Sequence, residues 1–190
     1  MRMQARQQMP AFLALCSLMF GAALLAHEHL YGGVRSHHLL DRPDLPAISN
    51  WFGLIILPIL GWLLGIRFRE HLTSSTGSRL SIGIWAGLVC SLIYGGALAI
   101  SFELGPSAWT SGLFFGLFVL AAALPIYRTE SIFGFVVGMT FTFGAVLPTL
   151  VAVVFAVISV VVHFAFRALM FTIRSRGRQV RPRSSSKHTP

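Results

Sequence analysis

Apolar residues fall in long runs separated by short polar ones, without the strict alternation of strands. The runs are 10–26, 51–66 (extendable back to Pro46), 80–100 and 109–127, followed by an almost unbroken stretch from Ile132 to Phe171. A membrane-crossing helix needs about 20 mostly apolar residues, and roughly 17 suffice. The first four runs each predict one span. The last is long enough for two, and Gly144 with Pro148 is its only turn chemistry near a midpoint. A hairpin broken there, with Thr149 capping the returning helix, is the expectation.

Composition agrees. The chain of 190 residues is 55% hydrophobic and 11% charged, with a mean hydropathy of +0.73. A soluble domain carries about a quarter charged residues, so too little polar surface remains to cover one.

Charge decides the topology. With six spans, segments 1–9, 67–79, 128–131 and 172–190, together with Arg167, hold thirteen of the fifteen Lys and Arg residues. Only Arg35 and Arg42 fall on the other side, with four of the six acids. Basic loops stay in the cytoplasm, whereas five spans would export the Arg-rich tail. The predicted fold is therefore an all-α polytopic transmembrane bundle of six spans, N-in and C-in, in an inner or plasma membrane. Residues 1–171 form the helical domain, and 172–190 form a basic cytoplasmic tail expected to be disordered towards Pro190. A cleaved signal peptide is the alternative for the first run, but Leu-Leu-Ala before His27 lacks the small residue expected at minus three.

The net charge of +9 does not indicate nucleic acid. Seven basic residues follow one another from Arg167 onward, directly after an apolar run, as in a topogenic tail touching anionic lipid headgroups. Cys16 and Cys90 lie in apolar runs without metal-ligand spacing. Gly61 and Gly65, Gly83 and Gly87, Gly112 and Gly116, and Gly134 and Gly138 form four Gly-x-x-x-Gly pairs, one in each of four predicted helices. Such pairs let backbones approach closely, within the bundle or at a protein partner or homo-oligomer interface.

Candidate chemistry concentrates in the loop from His27 to Asn50, which holds four of the seven histidines and three of the six acids. Long polar loops on rigid scaffolds carry function disproportionately. His27, His29, His37, His38 and Asp41 are candidate ligands for a divalent metal such as zinc or copper. A helix from Ser36 would put His37 and Asp41 on one face, whereas His27 and His29 converge only from an extended or irregular backbone. His37, His38, Asp41 and Glu103 are candidates for acid-base chemistry near neutral pH. Ser49 and Asn50 either cap the second span or line a ligand pocket beneath the loop.

No nucleophile elbow or phosphate loop accompanies these residues, so no reaction class follows. The Pro46–Asn50 entry resembles that of the membrane-embedded alkaline ceramidase superfamily. The later intramembrane His and Asp set of that family is absent, and no role is carried over. His163 is the one ionisable residue well inside a span, with no deep acid to relay protons, so it is read as a packing residue. The expected function is ligand, metal or acid-base chemistry at the outer loop. A non-catalytic scaffold packed through glycine faces and a small transporter are the alternatives.

Overall fold

The computed structural model describes residues 2–31, 36–38, 47–73, 77–105 and 108–179. Six helices follow one another: α1 Arg2–Leu30, α2 Gly53–Thr73, α3 Gly77–Glu103, α4 Ala108–Ala123, α5 Thr129–Phe143 and α6 Val146–Gln179. Between α1 and α2, strands β1 (Ser36–His38) and β2 (Ala47–Ser49) pair antiparallel and lead into a 3-10 turn, Asn50–Phe52. In a helix each backbone polar group finds its partner within the segment, which is what a segment crossing hydrocarbon would require.

Among the described residues, four helical stretches are long and apolar enough to cross a membrane: Gln7–Leu30, Asn50–Leu72, Ile82–Glu103 and Val146–Ser175. Helices α4 and α5 are also apolar but shorter, at 16 and 15 residues. At the usual rise they measure roughly 24 and 22 Å, against a hydrocarbon core of about 30 Å.

Contacts between helix ends show successive helices running in opposite directions. At one end Glu28 of α1 bonds Asn50 before α2, the Phe102 ring of α3 lies 5.2 Å from Phe143 of α5, and Asn50 abuts Gly144 before α6. At this end too, the Thr110 hydroxyl of α4 donates to the Ser101 carbonyl of α3. At the opposite end Arg67 of α2 faces Glu130 of α5. The core, including Leu57, Leu98, Ala121, Val136 and Ala145, lies between the helices.

The apolar stretch after Ile132 breaks at Gly144. Its φ of +67° with ψ of −177° is a region essentially reserved for glycine. Its N–H donates to the Thr140 carbonyl and closes α5. Thr149 does not cap the returning helix. That helix already begins at Val146, and the Thr149 hydroxyl donates back to the Ala145 carbonyl at 2.6 Å. Pro148 is tolerated in its first turn, where no intrahelical donor is required. Helix α6 then continues past Phe171 to Gln179.

Two of the Gly-x-x-x-Gly pairs are close helix contacts. A Cβ on Gly61 would meet Leu13 and Ser17 of α1, and one on Gly65 would meet the Pro10 backbone. Gly134 and Gly138 lie against the α3 backbone at Leu88, Leu92 and Gly96. Gly83 and Gly112 have open space where a side chain would stand, and Gly116 makes room for the Tyr94 hydroxyl. The α3–α5 and α1–α2 pairs are therefore built by glycine against backbone within this one chain.

Candidate functional site

At the end carrying the long loop, the structure rearranges the expected ligands. His27 and His29 lie in the last turn of α1, both exposed, rather than on extended backbone. Two residues of helix turn them roughly 200° apart around the axis, so they do not face one ion. The His27 ring instead stacks 4.7 Å from Tyr31 and 6.3 Å from Phe141. Ser36–His38 is a strand, so the helical face relating His37 to Asp41 does not form there. His37 pairs in register with Ile48 and His38 with Ala47, while Asp41 lies outside the described residues. Glu103 is the exposed last residue of α3. Among the described residues, no group of three or more His, Cys, Asp or Glu is placed to hold a metal ion.

Ser49 precedes the 3-10 turn, and its hydroxyl accepts from the Trp51 N–H at 3.4 Å. Asn50 is buried, and its Nδ2 donates to Glu28 Oε1 at 2.7 Å. On its other side the Asn50 amide sits where Gly144 lacks a side chain. One amide thus ties the end of α1, the start of α2 and the α5–α6 turn. Hydrogen bonds to a charged group contribute about 1.5–3 kcal/mol each.

A different site forms at the opposite end. Glu130, in the first turn of α5, is 1% exposed. An acid there is favoured by the helix dipole. It is buried because α3 crosses close above it: a Cβ on Gly87 would stand 3.1 Å from Glu130 Cγ. The Ser91 hydroxyl lies 3.4 Å from the Glu130 carbonyl oxygen. Arg67 Nε stands 3.8 Å from Glu130 Oε2, near enough for charge compensation but too far for a hydrogen bond. The same guanidinium reaches Glu70 at 3.9 Å. Glu130 Oε2 accepts no hydrogen bond from the protein.

Glu130 is among the residues lining an open-sided cavity of about 280 Å3 between α3, α4, α5 and α6. Arg128, Ser91 and Ser131 join it at the polar end, and Leu117, Leu120, Phe135, Ala152 and Phe155 supply apolar wall. The Tyr94 hydroxyl, also lining the cavity, donates to the Leu113 carbonyl and pins α3 to α4. Just beyond, Ser159 of α6 donates to the Leu124 carbonyl at 3.0 Å. His163 donates from Nδ1 to the Ser159 carbonyl at 2.8 Å and meets Tyr127 edge-on, a packing arrangement.

Reading the sequence for polar clusters passes over Glu130, which sits in a four-residue polar gap between two apolar runs. A signal is there nonetheless. Only Glu70 and Glu130 are acidic among segments that otherwise collect arginine. The fold and site together define a helical architecture, with helices long and apolar enough to cross a membrane and a cavity lined by one buried acid. No protein family, curated protein or solved structure matches the chain.

Proposed function

We propose that this is a six-span membrane protein, with both termini in the cytoplasm, that binds a small ligand in the cavity beside Glu130. The buried acid Glu130, among the residues lining an otherwise largely apolar cavity, carries the reading. Small-molecule sites are apolar cavities with a few polar groups placed at one side, and Arg128, Ser91, Ser131 and Glu130 form such a polar end here. The alternating helix directions support the six spans, and the crowding of arginine at 67–79, 128–131 and beyond 167 supports the orientation.

Scaffold function has less support, because Gly61, Gly65, Gly134 and Gly138 are already covered by helices of the same chain. Green fluorescent protein fused after Pro190 should fluoresce, and alkaline phosphatase fused within the loop at 39–46 should be active. The opposite pattern overturns the orientation.

Binding is tested by filling the cavity. Ala152→Phe, or Leu120→Phe as a second choice, should remove small molecules that co-purify with the wild type in native mass spectrometry. The fourfold His27, His29, His37, His38→Ala variant should retain them. Retention by the filled variants and loss from the histidine variant would move the site to the outer loop.

A further inference from the structure

Resting on that reading, we infer the class of ligand: a single-chain amphiphile whose anionic head, a carboxylate or phosphate, is held at Arg128 with its tail between α3 and α4.

The cavity wall is divided as such a molecule is. Arg128, Ser131 and Ser91 stand at the end where the chain turns from α4 into α5, and Leu117, Leu120 and Phe155 line the remainder. A head belongs at the first end and a tail along the second.

The charge available at the polar end is positive. Glu130 is there too, but its Oε2 is enclosed and lies 3.8 Å from Arg67 of α2, which is outside the cavity lining. That pair is compensated away from the cavity. Arg128 is exposed, and among the described residues no ion pair involves it. Its guanidinium offers a fork of donors matched to a carboxylate or phosphate. The Ser131 hydroxyl, 3.7 Å from where a Gly87 Cβ would stand, supplies a further donor. The first turn of α5 turns its positive end to the same place. An amine head would meet like charge there.

The way in is lateral. Helices α3 and α4 are joined by Tyr94 to Leu113 and by Thr110 to Ser101, all on the half of α3 away from Arg128 and Glu130. On the nearer half, Gly83 has nothing within 4 Å and Cys90 is exposed, and both line the cavity. A ligand already in the bilayer reaches this open flank without crossing water.

Size limits the tail. Pockets for small molecules span about 300–1,000 Å3, which puts a cavity of about 280 Å3 at the bottom of the range. One alkyl chain suits it, and the paired chains of a phospholipid do not. A tail leaving lipid for an apolar cavity gains little, since lipid is as apolar as the wall. Selectivity therefore resides in the head and in Arg128.

The test compares dodecanoate, dodecyl phosphate, dodecanol and dodecylamine binding to the full chain in phosphatidylcholine nanodiscs, by native mass spectrometry. Both anions should bind about tenfold more tightly than the alcohol and the amine, as a charge-assisted contact implies. Arg128→Gln should bring the four probes within about threefold of one another, and Arg128→Lys, which keeps the charge, should leave the anions ahead. Ala152→Phe, or Leu120→Phe should the first fail to fold, should remove all four. An alcohol or amine bound as tightly as the anions, and lost from the filled variant, would overturn the anionic head and leave the cavity as a site. An anion preference unchanged in Arg128→Gln would overturn the role of Arg128. Anions held equally by wild type and the filled variant would place them on the exposed surface and overturn the inference. Binding of no probe would overturn the ligand class, and the co-purifying molecules would then decide the cavity reading by themselves.

Discussion

Gly144→Ala is expected to destabilise the protein by about 3 kcal/mol or more, a large effect for one methyl group. Two costs combine. At φ +67° and ψ −177° the backbone occupies a region where a side chain costs about 1–3 kcal/mol. The added Cβ would also run into the Asn50 side-chain amide. Moving that amide breaks its 2.7 Å bond to Glu28, contributing about 1.5–3 kcal/mol more.

The two costs separate in a double variant. Asn50→Ala removes the obstacle but not the strain, so Gly144→Ala should cost less in an Asn50→Ala background than in wild type. The measurement is unfolding of detergent-purified protein in a denaturing-detergent titration. Gly96→Ala is the control, since its Cβ would meet only the Gly138 carbonyl oxygen at 4.0 Å. It should be neutral within about 1 kcal/mol, helix propensity favouring alanine over glycine by a similar amount. Equal losses from both variants would show that the turn geometry does not govern the effect.

This turn is the part of the fold that the sequence states most clearly. A stretch of apolar residues twice the length of a span, with one glycine and one proline near its middle, has few other places to reverse. The apolar runs are legible for the same reason, since they reflect the solvent and need no partner to be recognised. Interactions across the bundle are not legible in this way. Gly134 and Gly138 announce a close approach, but their counterpart on α3 is a surface of Leu88, Leu92 and Gly96 that no four-residue repeat marks.

The site shows the limit more sharply. Clustered histidines draw attention to the loop, yet α1 runs on to Leu30 and carries His27 and His29 on a helix. That extension spends a polar stretch on helix because Glu28 is held by Asn50 and His27 stacks on Tyr31. Glu130 presents the reverse case. A single acid in a short polar gap is unremarkable until Gly87 allows α3 to cover it. Burial makes the residue chemically distinctive, and burial is a property of packing.

The second large effect follows from that burial, and its sign is the informative part. Arg67→Ala should destabilise the protein by about 1–3 kcal/mol. Breaking a fully buried pair from one side costs about 3–5 kcal/mol, and Arg67, 36% exposed, already shares part of its charge with water. What remains is a carboxylate, 2% exposed, with neither a counter-charge nor a hydrogen bond at Oε2. Glu130→Gln should cost under about 1 kcal/mol, since the freed guanidinium keeps solvent and Glu70, 3.9 Å away. The double variant Arg67→Ala, Glu130→Gln should then be more stable than Arg67→Ala alone, because it removes the stranded charge. The same unfolding titration reads all three variants. A double variant less stable than either single one would mean that the two residues act independently, and that Glu130 is not a buried acid dependent on Arg67.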